Sequence, residues 1–276
     1  MFETFIVQPL LNILFMIDAA LPGSDLGVAI LILTLIIRFA MYPLVKKQIH
    51  SQRALAAIQP EVEKLKEKYK KDPKKLQAAT MELYKEKEFN PFGSCLPLII
   101  QMPFLIGLFS LFRRIGDEAF VRLSGDASII NSVYAFVKDF SFVKDFVATN
   151  EAINTMAFGV VDLSRVAASE GALSFQSYYW PAAALAIATG ALTFVQSKMM
   201  APKKKVKSDD PMANIGNQLI YIMPVFLVFI SLGFPAALSL YWSASTLIGI
   251  GQQYYVMHHD VEKLEEGNEG KSARKS

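Results

Sequence analysis

Five apolar runs dominate the chain: Leu26 to Val45, Leu96 to Phe112, Tyr178 to Val195, Leu219 to Gly233 and Phe234 to Met257. Crossing the hydrocarbon core of a bilayer takes roughly 17 to 25 helical residues, so each run except the short fourth matches one span. Phe234-Pro235 follows the fourth run at once. The residue before a proline is pushed out of helical geometry, so runs four and five predict a tight hairpin turning at a membrane surface. The predicted fold is all-α: a polytopic membrane protein with five transmembrane helices, at 26–45, 96–112, 178–195, 219–233 and 234–257.

The polar stretch between the first two runs predicts a helical hairpin over 46–93. Leu55, Ile58, Val62, Leu65 and Tyr69 recur at three- and four-residue steps, an apolar stripe on one arm. Asp72 then caps a second arm that opens with Pro73 and carries Leu76, Ala79 and Leu83. Pro60 is expected to kink or restart the first arm. Ahead of the first run, residues 1–25 are apolar but broken by Pro9 and Asn12, and predict an interfacial helix rather than a sixth span. Between the second and third runs, Phe-Val-Lys-Asp-Phe occurs twice, at 136–140 and 142–146. Phe136, Phe140, Val143 and Val147 share one helical face there and suggest a surface-lying helix.

Charge orients these elements. Residues 46–90 hold 12 Lys/Arg against 7 Asp/Glu, and 196–218 hold 5 against 2, whereas 115–177 hold 4 against 8. Positive loops stay in the cytoplasm. The expected topology therefore puts the N-terminus and the 113–177 loop outside. The hairpin, the 196–218 loop and the 258–276 tail are inside. Arg113 and Arg114 run against this rule. Composition agrees with a membrane protein: 53% of residues are apolar and mean hydropathy is positive. The single cysteine, Cys95, excludes an intramolecular disulfide.

Arg38 is the candidate chemistry. It lies 12 residues into the first run and 7, about 10 Å, from its inner end. A guanidinium at such depth costs at least about 2.5 kcal/mol unless a wet cavity or a partner receives it. None of the five runs contains Asp, Glu, Lys or His, so Arg38 has no ionic partner within them. A hydrated pocket open to the cytoplasm is the expected solution, one that attracts acidic groups arriving from elsewhere. Thr34 and Tyr42 share its face. Gln101, then Thr189, Thr193 and Gln196, then Ser243, Thr246 and Gln253 are candidate lining on the other spans, with Ser239 on the same stripe. Helix–helix hydrogen bonding is the alternative role for each of them. No His or acid stands in these runs to activate a serine, and no His-Glu-x-x-His is present, so no catalytic residues, cofactor or metal are expected. His258-His259-Asp260 is expected to be a solvated helix end. Proton-coupled transport normally needs a membrane carboxylate, absent from these runs. A small anion transporter or channel with an arginine-lined site stays open as an alternative.

Several motifs, taken together, resemble the YidC/Oxa/Alb family of membrane protein insertases over roughly Gly27 to Met257. Leu33 to Arg38 followed by Tyr42-Pro43-Leu44 is similar to that family's first core span. Gln59-Pro60, Lys68-Tyr69-Lys70 and Met81 to Lys85 are similar to its hairpin. Asn90-Pro91, Gly93 to Pro97, Gln101 and Pro103 resemble the start of the second span. Gln196 to Met200, Leu240-Tyr241-Trp242 and Gln252-Gln253-Tyr254 resemble the third and fifth. The resemblance implies a bacterial plasma-membrane protein that integrates nascent membrane proteins. It would do so through a hydrophilic groove, open to cytoplasm and lipid and closed outside, whose arginine attracts acidic tails. It further implies nascent membrane proteins and the lipid bilayer as partners, with the ribosome and the Sec translocon, and no DNA. Unlike the family's Gram-negative members, no large extracytoplasmic domain precedes the first run. The tail from His258 holds 4 Lys/Arg against 5 Asp/Glu, so it is not a strongly basic ribosome-binding tail. Lys203, Lys204, Lys205 and Lys207 are the candidates for contact with ribosomal RNA or anionic lipid.

Overall fold

The structure, a computed structural model, describes residues 3–21, 23, 25–70, 72–87, 102, 104–112, 133–148, 154–168, 178–200 and 211–261. The start of the second run with Gln101, Arg113 and Arg114, the lysines at 203–207 and the tail from 262 lie outside the described residues. What is described is mostly helical. A π turn at Glu3–Val7 leads into α1 (Gln8–Ala20), followed by α2 (Leu26–Ala40), α3 (Tyr42–Lys68) and α4 (Pro73–Glu86). Next come α5 (104–112), α6 (Ala135–Lys138), α7 (Ser141–Ala148) and the antiparallel pair β1 (Met156–Ala157) and β2 (Val161–Asp162). The chain then forms α8 (Trp180–Met200), α9 (Pro211–Leu232) and α10 (Ala236–Val256).

Among the described residues, two helices are long and apolar enough to cross a membrane, Glu3–Ala20 and Trp180–Met199. A third arises if α2 and the start of α3 count as one bent span. By length and composition alone the N-terminal segment is thus long and apolar enough to cross, although Pro9 and Asn12 fall within it. Pro9 sits in the first turn of α1, where a missing N–H leaves no intrahelical bond unmade. Asn12 is turned inward: its Nδ2 donates to the Gln8 carbonyl and its Oδ1 accepts from Tyr134 N–H, both at 2.7 Å. Leu10, Leu11, Leu14 and Phe15 then join Ile30 and Leu33 of α2, Leu108 and Leu111 of α5 and Leu238 of α10 in the main core.

The first run is not one straight helix. It does not continue straight to Val45 but bends by 62° between α2 and α3. Pro43 explains the break, since it cannot donate to the Phe39 carbonyl and its ring crowds that turn. Met41 closes α2 by donating to the Ile37 carbonyl at 2.9 Å. Pro60, by contrast, does not restart the first hairpin arm, for α3 runs through it. Contacts on either side hold the arm: Ile58 and Val62 pack with Leu83, and Lys87 Nζ donates to Glu61 Oε1 at 2.8 Å. Asp72 Oδ1 accepts from Lys75 N–H at 3.1 Å and so caps α4. The duplicated segment forms two short helices, not one. Val137 and Val143, equivalent in the two copies, are fully buried, while Phe136 and Phe140 are exposed. The break between α6 and α7 resets the helical phase, so Val143 does not share a face with the phenylalanines.

Segment 154–168 ties one end of the bundle shut. Asp25 accepts from Gly27 and Val28 N–H through Oδ1, capping α2, and from Phe158 N–H through Oδ2 at 2.8 Å. A Cβ on Gly27 would stand 2.5 Å from that of Ala157, so only glycine admits this approach. Farther along, Leu163 and Arg165 carbonyls accept from Ala237 and Ala236 N–H at the start of α10. Ala168 N–H donates to Leu232 at the end of α9, and Ala167 accepts from Tyr179 just before α8. Arg165 lies over the Tyr179 ring at 4.3 Å.

Candidate functional site

Arg38 lies toward the opposite end from this closure, in the last turn of α2. A cation there meets the negative end of the helix dipole favourably. The bend at Met41 places it two residues from the end of a straight helix, not seven from the end of a long one. Its side chain crosses to α10 and is half-buried. Nε donates to Ser245 Oγ at 2.7 Å. One turn on, Gly249 offers bare backbone: a Cβ there would stand 3.1 Å from Arg38 Nη1, 3.3 Å from Cζ and 2.8 Å from Gln196 Nε2 of α8. A further turn along α10, Gln252 Nε2 donates to the Arg38 carbonyl at 3.1 Å. The Oε1 of the same amide is buried with no hydrogen-bond partner among the described residues. Within those residues Arg38 forms no ion pair, and its terminal nitrogens make no hydrogen bond.

The candidate lining residues divide. Arg38 and Gln196 meet at Gly249. Thr189 and Ser243 meet each other instead: their hydroxyls are 2.8 Å apart, and Thr189 also donates to the Leu185 and Ser239 carbonyls. Thr189 is wholly buried, and Ser239, Thr246 and Gln253 nearly so. Gly190 beside it lets α8 close on α9, for a Cβ there would run into Val228. Thr34 is spent on the Ile30 carbonyl and Thr193 on that of Thr189. Gln253 reaches only Met257 Sδ, at 3.8 Å. Tyr42 packs beside Val45, Ile49 and Val256 where α3 meets the end of α10. Ser245, Gly249 and Gln252 were not singled out as lining by sequence reasoning. Their spacing of four and three residues was the available signal, a small and polar stripe one position out of phase with Ser239, Ser243, Thr246 and Gln253.

His258 stacks on Tyr254 with centroids 4.1 Å apart, and no cluster that could hold a metal occurs among the described residues. The hairpin arms enclose a groove of about 570 Å³ lined by Glu61, Lys64, Leu65, Tyr69, Glu82 and Glu86 among others.

Comparison with known proteins agrees with this architecture. The family described as 60Kd inner membrane protein matches residues 17–263. The membrane protein insertase MisCA of Bacillus subtilis is 31% identical over 265 residues, covering 95% of this chain and 81% of the relative. Membrane protein insertase YidC of Clostridium tetani is 32% identical over 231 residues, covering 84% and 81%. Among solved structures, an active YidC insertase crystal structure with its first transmembrane domain resolved aligns with a TM-score of 0.51 at 25% identity. That alignment covers 92% of this chain and 46% of the other. With the family matched over most of its length, the chain belongs to the YidC/Oxa/Alb family of membrane protein insertases.

Proposed function

We propose that this chain integrates nascent membrane proteins into the bacterial plasma membrane through a hydrophilic groove centred on Arg38. Insertion of this kind is not enzymatic: no covalent bond is made or broken. The observation that carries the reading is the state of Arg38. Nε is engaged by Ser245 while both terminal nitrogens are unengaged among the described residues. An intramembrane guanidinium left in that state calls for water and attracts carboxylates. The orphan Gln252 Oε1 beside it likewise calls for water. The 154–168 closure at the other end of the bundle supports a groove shut on the outer side. Membership in an insertase family does not favour the small anion transporter.

In this reading the chain spans the membrane five times, at 26–45, 96–112, 178–195, 219–233 and 234–257. The N-terminus is outside, and the hairpin 46–93 is in the cytoplasm with the 196–218 loop and the tail. Gln101, Gln196 and Thr193 line the groove with Arg38. Thr34, Tyr42, Thr246 and Gln253 form its supporting wall, and the Thr189–Ser243 pair clasps α8 to α10. An acidic tail descends toward Arg38, and the apolar segment behind it leaves along α9, whose Tyr221, Ile222, Val225, Phe226 and Phe229 are exposed. The ribosome and the Sec translocon deliver the substrates.

Insertion of two matched single-span substrates, one with an acidic translocated tail and one neutralised, tests this. Arg38→Ala should cut insertion of the acidic substrate by about tenfold, the loss of one charged hydrogen bond, and spare the neutral one. Arg38→Lys should restore part of it, because the ammonium keeps the charge but not the planar fork. Equal losses on both substrates would leave Arg38 as a packing residue.

A further inference from the structure

We propose that Ser245 and Gly249 are positioning residues that set the guanidinium of Arg38 to take one substrate carboxylate end-on, through Nη1 and Nη2. This rests on the reading of Arg38 as the attractor of acidic tails, and it specifies the geometry of capture. A guanidinium offers a carboxylate two bidentate edges, one made of Nε and a terminal nitrogen, the other of the two terminal nitrogens. Here Ser245 Oγ accepts from Nε at 2.7 Å and so occupies the first edge. The second edge makes no hydrogen bond among the described residues and is not wholly sealed from solvent.

Gly249 provides the space for that pose. It follows Ser245 by one helical turn, and the guanidinium lies over its bare Cα, with Gln196 Nε2 on the same spot from α8. A methyl group there would stand 3.1 Å from Nη1 and 3.3 Å from Cζ. That is too close for carbon, but the atoms in the way are the free ends of two long side chains. Gly249→Ala should therefore fold, with Arg38 and Gln196 swung aside. Gln252 fixes the other half of the geometry, since its bond to the Arg38 carbonyl holds the last turn of α2 against α10. Three successive turns of one helix thus act on one residue: on its side-chain nitrogen, on the space for its plane, and on its backbone.

The test compares Gly249→Ala, Ser245→Ala and Arg38→Ala, each at equal folded protein level, on the acidic and neutralised substrates. Each positioning variant should lower the acidic-to-neutral insertion ratio about three- to tenfold, less than the full loss of one charged hydrogen bond because the guanidinium is misplaced and not removed. Insertion of the neutral substrate should not change. In an Arg38→Lys background, Gly249→Ala should lower the acidic-to-neutral ratio no further, because lysine has no planar group for the methyl to misplace and the displaced Gln196 amide affects both substrates alike. A merely structural glycine would cost the same in both backgrounds. Equal losses on the acidic and neutralised substrates in Arg38→Ala would overturn the attractor reading and this proposal with it. A selective loss of the acidic substrate in Arg38→Ala, with none in Gly249→Ala and Ser245→Ala, would overturn the cradle alone.

Discussion

Two kinds of polar residue occupy the membrane helices, and their hydrogen bonds tell them apart. Thr189 is saturated by protein, with carbonyl acceptors on Leu185 and Ser239 and the Ser243 hydroxyl 2.8 Å away. Among the described residues Arg38 is anchored at one nitrogen. The first arrangement holds helices together; the second leaves donors for something that arrives. Thr189→Val keeps the shape and deletes the bonds, so it should cost about 1 kcal/mol of stability, the usual worth of an interhelical hydrogen bond in a membrane. Thermal unfolding in detergent should show a lower midpoint, while insertion per folded molecule stays at the parent level. Loss of insertion at unchanged stability would instead put Thr189 on the substrate's path.

At the scale of elements, the hairpin is two structures in one helix. The first turns of α3 are fastened to the bundle through Val45 and Ile49 against Val256. Beyond Ala54, the buried cluster of the two arms is Ile58, Val62 and Leu83. Burying three such side chains yields roughly 5 to 9 kcal/mol, whereas ordering each residue costs about 1 to 2 kcal/mol in backbone entropy. The distal hairpin should therefore open locally far more often than the bundle. Hydrogen exchange should show amides of 42–54 protected like the core and those of 57–87 exchanging much faster; uniform protection along α3 would refute this. The Lys87–Glu61 pair adds little, because both partners are about two-fifths exposed. The Glu61 carboxylate, by its hydrogen bond, holds the Lys87 ammonium above its ordinary value. The contribution linked to Lys87 is thus present at neutral pH and is lost as the pH rises through the lysine range.

For the whole molecule, the arrangement is polar from end to end. Segment 154–168 binds the starts of α2 and α10 and the end of α9 at one pole, and Arg38 with its α10 partners lies toward the other. If the closed pole is outside, single cysteines in a Cys95→Ser background should label asymmetrically with a membrane-impermeant thiol reagent. Gln196→Cys should react in inside-out vesicles and not in intact cells, and Phe158→Cys, at the exposed tip of the β hairpin, the reverse. Labelling of Gln196→Cys from outside would contradict both the orientation and the closure.

Local chemistry determined much of this protein. Apolar runs of span length, the Asp72-Pro73 helix start and the turn at Phe234-Pro235 are legible because each depends on a few neighbouring residues and on the preference of apolar side chains for lipid. Arg38 is legible for a similar reason, as a charge standing alone in an apolar run. Other features needed the folded chain. Pro43 bends its helix and Pro60 does not break its own, because contacts around each decide whether the missing bond is tolerated. Asn12 looks like an interruption until Tyr134, distant in sequence, supplies its donor. The site itself shows the limit most clearly. Ser245 and Thr246 are adjacent polar residues on the same helix, separated by about 100° of rotation. Only the packing of α10 against α2 and α8 turned Ser245, Gly249 and Gln252 toward Arg38. Helical rotation is set by side chains on neighbouring helices, so no pattern along one segment encodes it.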